Sequence, residues 1–150
     1  MMSNILAATY PDLIKAVSLY SGVPAGCFVG NGVAQWNNEC SGGRMTKTAQ
    51  AWADVVHKAY PGYSGERPKM QIWHGSTDGT LAPQNYQETI KQWTAVFNVS
   101  QTPTKVQENV PEPRYTTNDF GNHVQGIWAV GVGHSVPSHL DISEAWFGLV

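Results

Sequence analysis

The chain has 150 residues, a formal net charge of −2 and 41% hydrophobic residues, which suits one domain with a core of its own. Charged residues make up only 13% and form no basic patch or acidic block, which argues against nucleic acid and polybasic membrane surfaces as partners. No apolar run approaches the roughly 18 residues that a membrane-spanning helix needs.

In chain order, residues 1–10 predict a helix with Met2, Ile5, Leu6 and Thr9 on one face, stopped by Pro11. Residues 1–8 lack a basic n-region and read as structure, not as a signal peptide. A short strand follows over 16–22, ending in the turn glycine Gly22, and residues 23–45 form a Gly/Asn/Cys loop. Thr46 or Thr48 caps a helix that runs to Tyr60, with Ala49, Trp52, Val56 and Ala59 on one face. The run 70–73 is dense enough to be a buried strand. It breaks into turn chemistry at 74–80, and a helix restarts at Pro83 with Tyr86, Ile90, Trp93 and Phe97 aligned.

Beyond Phe97 the segments 104–109 and 115–118 read as edge strands or extended loop, and Pro111 and Pro113 argue against regular pairing between them. Residues 124–130 form a further strand, ending in Gly131-Val132-Gly133-His134-Ser135-Val136-Pro137. A last helix over 142–147 takes Asp141 as its cap. This alternation predicts an α/β domain over 1–150, with a mainly parallel sheet flanked by helices.

Cys27 and Cys40 sit in no C-x-x-C pair, and no His or Cys lies near enough to complete a zinc pattern. They are either two buried thiols or a disulfide. The loop-like segment between them favours the disulfide, which would stabilise by about 3 kcal/mol and needs an oxidising compartment. Asn98-Val99-Ser100 is a glycosylation sequon that fits such a compartment. Abundant Trp, Tyr, Gly, Asn, Gln, Ser and Thr fit a secreted protein that handles carbohydrate, and Trp36 and Trp128 are candidate platforms for sugar rings.

Two loops can carry chemistry. In a parallel sheet, Asp78 and His134 each follow a strand and open on the same edge. A carboxylate bonded to one imidazole nitrogen fixes the tautomer, and the other nitrogen can then take a proton from a nucleophile. Asp before His is also the second half of the Ser–Asp–His order of α/β-hydrolases. His57 reads as a solvated helix residue, His74 as a buried strand-end residue bonding a carbonyl, and His123 as a turn neighbour. Pro137 lies between His134 and His139, so the two share no helical face that could hold a metal. The residues imply neither a metal nor another cofactor.

Several strings carry a resemblance that runs the length of the chain. They are Ala8-Thr9-Tyr10-Pro11-Asp12, Tyr20-Ser21-Gly22-Val23-Pro24-Ala25, Tyr60-Pro61-Gly62-Tyr63, Gln71-Ile72-Trp73-His74-Gly75-Ser76-Thr77-Asp78, Pro83-Gln84-Asn85-Tyr86-Gln87-Glu88-Thr89, Gly131-Val132-Gly133-His134-Ser135-Val136-Pro137 and Trp146-Phe147-Gly148. They resemble fungal acetylxylan esterases of the first carbohydrate esterase family, with feruloyl esterases and polyhydroxybutyrate depolymerases as more distant relatives.

The resemblance implies a secreted, monomeric α/β-hydrolase that deacetylates xylan, with Asp78 as triad acid and His134 as triad base. It also implies a Gly-x-Ser-x-Gly nucleophile elbow just before the opening Met1-Met2, and no serine of the chain stands in that frame. Ser21, before Gly22 at a strand end, is the best local substitute. The sequence is therefore expected to represent the C-terminal half of an α/β-hydrolase, without the earlier strands, the elbow and the oxyanion loop. A feruloyl esterase with the same triad, acting on feruloylated polysaccharide, is the near alternative. An inactive truncated protein that at most binds carbohydrate is the distant one.

Overall fold

A computed structural model describes residues 1–30, 32 and 35–150, so part of the loop expected over 23–45 lies outside the described residues. The elements in chain order are α1 (Met2–Thr9), β1 (Ala16–Tyr20), α2 (Asn38–Ser41), α3 (Ala49–Ala59), β2 (Lys69–Gly75), α4 (Gln84–Val96), β3 (Lys105–Glu108), β4 (Tyr115–Asp119), β5 (Val124–Ala129) and α5 (Leu140–Phe147). The five strands form one sheet in the order β1-β2-β5-β4-β3.

β1–β2 and β2–β5 pair in parallel, while β5–β4 and β4–β3 pair antiparallel. The sheet is thus mixed, and the expectation of a mainly parallel sheet is corrected. The reason lies in the connections. Parallel neighbours need a crossover of a dozen or more residues, which α3 and α4 supply. The links 109–114 and 120–123 are too short for anything but a reversal. The same observation corrects the reading of the prolines. Pro111 and Pro113 stand in the 109–114 link and not in a strand, so Lys105–Glu108 pairs regularly with Thr116–Asp119.

β2 is central, and Met70 to Gly75 are all buried, as expected of a strand covered on both faces. On one face Met70 and Ile72 join Val17, Leu19, Val124 and the helical residues Ala7, Ala8, Val56, Tyr86, Ile90 and Trp93 in the principal core. On the other face Trp73, Ile127 and Ala129 pack with Tyr115, Val136 and the half-buried Ile142 of α5. That second face also carries a row of side-chain hydrogen bonds across the strands. Ser18 Oγ donates to Gln71 Oε1 (2.7 Å), Gln71 Nε2 to Gln125 Oε1 (2.8 Å), and Gln125 Nε2 to Asp119 Oδ1 (2.7 Å).

Helix α3 begins at Thr48, whose hydroxyl accepts from Ala51 N, and it buries Trp52, Ala53 and Val56. α4 is buried nearly all round, because the sheet covers one side and α3 the other. α1 departs from its expected face. Asn4, Ala7 and Ala8 are buried, whereas Met2 and Leu6 are exposed. Its small residues let it approach α3 and β1, and Asn4 is satisfied at both ends by Val23 O and Trp93 Nε1 at 2.7 Å. α5 starts two residues early. His139 is the N-cap and Asp141 lies in the first turn, where its charge favours the helix N-terminus, so Asp141 is not the cap.

Candidate active site

The site sits at the carboxyl ends of β2 and β5, which are adjacent and parallel. Asp78 follows β2 and is buried. Its Oδ1 accepts from the backbone N–H groups of Thr80 and Leu81, both at 2.9 Å, which is the local turn an Asp side chain favours. Its Oδ2 lies 2.9 Å from Nδ1 of His134, whose side chain is 42% exposed. Burial alone would raise the Asp78 carboxyl. The Leu81 N–H, the His134 ring and the Thr80 N–H outweigh it and hold the group below its ordinary value.

The two loops are bonded to each other. Ser76 N donates to Ala129 O (2.9 Å), Thr77 N to Val132 O (3.0 Å), and Gly131 N to Ser76 Oγ (2.8 Å). Gly75 makes this approach possible, since a Cβ there would run into the carbonyls of Val132 and Gly133. Gly131, with φ of 79°, turns the chain out of β5 in a conformation that other side chains rarely adopt. Asp78, His134 and the loop glycines Gly131 and Gly133 are legible in the sequence. The roles of Gly75 and of the Ser76 bridge are not, because close approach between distant loops leaves no periodicity in the chain.

His74 ends β2 and is fully buried, with Nε2 3.0 Å from Leu81 O and 3.4 Å from Asp78 Oδ2. Its expected place, at a strand end against a carbonyl, agrees with this; its closeness to Asp78 was not foreseen. Burial lowers the basicity of its ring, and this outweighs the Leu81 bond and the nearby Asp78 charge. Ser21 is buried at φ of 47°, and its hydroxyl donates to the backbone carbonyl of His134 at 2.5 Å. The remaining histidines lie apart. His57 is exposed on α3, His123 stacks on Phe97 at 4.9 Å, and His139 stacks on Trp73 at 5.1 Å. Among the described residues, no group of three His, Cys, Asp or Glu side chains is placed to hold a metal ion.

Cys27 and Cys40 are joined by a disulfide with Cα atoms 5.6 Å apart, and both are buried with Val23, Trp52 and Leu81. The bridge supports the acid loop from below, since Ala82 N donates to Ser41 O (2.7 Å) and Asn85 Nδ2 to Cys40 O (3.0 Å). Asn98 is exposed just past α4. Trp36 is 59% exposed, with its ring edge-on to Phe28 at 5.0 Å. Trp128 is half-buried against the principal core, with its ring 5.2 Å from that of Tyr86.

No protein-family model matches the chain. The chain is 52% identical over 148 residues to a probable acetylxylan esterase A of Aspergillus terreus, covering 97% of the chain and 48% of that protein. It is 51% identical to the acetylxylan esterase A of Aspergillus ficuum, covering 99% of the chain and 50% of that protein. Its structure superposes on that of an acetyl xylan esterase from Aspergillus awamori with a TM-score of 0.98 and 50% identity, covering all of the chain and 56% of the other. The chain spans about half the length of the curated relatives it matches. Across nearly all of its residues, then, the chain is a homologue of the acetylxylan esterases A.

Proposed function

We propose that these 150 residues form the acid- and histidine-bearing half of an α/β-hydrolase, a secreted serine esterase that removes acetyl groups from xylan during breakdown of plant cell-wall polysaccharide. The observation that carries this reading is the 2.9 Å contact of Asp78 Oδ2 with His134 Nδ1, at the carboxyl ends of two adjacent parallel strands. The order Asp then His and the naming of the relatives support it. In the reaction, Asp78 holds His134 with its proton on Nδ1. The free Nε2 takes the proton of a serine hydroxyl as that oxygen attacks the ester carbonyl, and returns it to the leaving sugar alkoxide. A water then repeats the cycle on the acyl-enzyme and releases acetate.

The chain has no Gly-x-Ser-x-Gly frame, so the nucleophile and the oxyanion donors are contributed by polypeptide outside these residues. The 150-residue chain alone is then inert towards a fluorophosphonate probe, while the longer polypeptide is labelled and deacetylates acetylated xylan. Stoichiometric labelling of the short chain would overturn this and make Ser21 the first candidate nucleophile to map. A longer polypeptide that takes no label would favour the other class of reading, a non-catalytic protein that binds carbohydrate at most. Relative rates on acetylated xylan and methyl ferulate separate the acetyl esterase from a feruloyl esterase. The exposed Trp36 is the candidate contact for a sugar ring. The disulfide and the sequon at Asn98 support an extracellular setting.

A further inference from the structure

A second imidazole stands beside the Asp78 carboxylate. His74 lies on the face of β2 that packs against α4, with its ring centroid 6.4 Å from those of Tyr86 and Trp128. Its Nε2 faces Leu81 O at 3.0 Å and Asp78 Oδ2 at 3.4 Å, and its buried Nδ1 has no hydrogen-bond partner. These contacts decide the tautomer. Both neighbours of Nε2 are acceptors, so the proton belongs there. A proton on Nδ1 would leave a buried N–H unpaired and turn a lone pair towards two oxygens.

The same ring reaches Asp78 by two routes. It faces Oδ2 directly, and it fixes the carbonyl of Leu81, whose N–H donates to Oδ1 at 2.9 Å. Thr80 N also holds Oδ1. An aliphatic residue would fill the space between Tyr86 and Trp128 equally well, but it would leave the Leu81 carbonyl without its donor and one side of Oδ2 bare.

We propose that His74 is a positioning residue: as a neutral Nε2–H imidazole it fixes the Asp78 carboxylate, at Oδ2 directly and at Oδ1 through Leu81, so that Oδ2 holds His134 as the Nδ1–H tautomer. The proposal rests on the Asp78–His134 pairing of the esterase reading, and it needs no serine to be tested. The readout is the ring-nitrogen NMR of both histidines in the 150-residue chain, near pH 8 where imidazoles are neutral.

In the wild type His74 is expected as Nε2–H and His134 as Nδ1–H. His74→Leu is expected to lower the Nδ1–H to Nε2–H ratio of His134 at least about fivefold, and His74→Gln, whose amide can donate from the same place, to restore it within about twofold. Asp78→Asn is expected to abolish the preference. If His74→Leu leaves the ratio unchanged while Asp78→Asn collapses it, the proposal fails and the pairing stands. If Asp78→Asn leaves it unchanged, both fail. A wild-type His74 found as Nδ1–H overturns the proposal without any variant, so a His74→Leu chain that does not fold still leaves a decisive measurement.

Discussion

The two halves of the sheet make opposite use of their residues. β1, β2 and β5 pair in parallel, and β2 is buried on both faces; the loops after β2 and β5 bring Asp78 to His134. β3 and β4 form an antiparallel hairpin on the far edge, with three of the four β3 residues exposed and no candidate site residue. Neighbours in the parallel half are far apart in sequence, and a change there moves loops that must meet. The hairpin is tied together locally, and a change in it has little to move.

The comparison can be broken at either end. In the longer polypeptide, His134→Ala is expected to cut deacetylation of acetylated xylan by about 10,000-fold, measured as kcat. A change of less than about tenfold would remove His134 from the chemistry. Gly75→Ala sets a methyl against the Val132 and Gly133 carbonyls and is expected to destabilise by about 3 kcal/mol or more in urea unfolding. A mild effect would mean that the two loops need no such close approach. Reducing the Cys27–Cys40 bridge is expected to lower stability by about 3 kcal/mol and to loosen the acid loop, seen as faster amide exchange at Leu81 and Ala82.

A smaller effect comes from pH. The His74 ring in the folded chain is less basic than the ordinary 6.5, so below that value the unfolded chain binds a proton that the native state refuses. Stability therefore falls on acidification from about pH 6.5, by up to about 1.4 kcal/mol per pH unit. His74→Gln is expected to flatten that part of the curve. The Asp78 carboxyl, held below its ordinary 3.8, adds its own loss as the pH falls under that value. At the small end, Val106→Thr on exposed β3 is expected to shift stability by no more than about 0.5 kcal/mol, and a larger loss would show that the hairpin edge is covered by something.

Much of the parallel half was legible in the sequence, because its signals are local. The apolar run at 70–73, the turn residues after it and the three-to-four spacing of Tyr86, Ile90 and Trp93 each point to one element. The loops bearing Asp78 and His134 follow from strand direction. The hairpin departs from expectation because prolines confined to a link do not interrupt the ladder on either side of it; the link lengths held the better signal. The buried face of α1 was missed since apolarity was counted and size was not: Ala7 and Ala8 pack closer than Met2 could. The contact of His74 with Asp78 depends on a loop folding back over a strand end, which the short stretch between them does not announce.

The row from Ser18 through Gln71 and Gln125 to Asp119 crosses four strands at one level. Its members are direct lateral partners: Ser18 opposite Gln71, Gln71 opposite Gln125, and Gln125 opposite Asp119. Each amide is held at both ends, so the row acts as a ruler. Sliding β5 by one residue along β2 would send its buried side chains to the wrong face. Sliding it by two would restore the faces, yet would carry His134 about 6.6 Å along the strand direction, well out of reach of Asp78. Tyr86 and Ile90 lie over Gly126 and leave no room there for a larger side chain, which opposes that second slip. The glutamines oppose it too, from the middle of the sheet, and so help to set a distance that is read at its end.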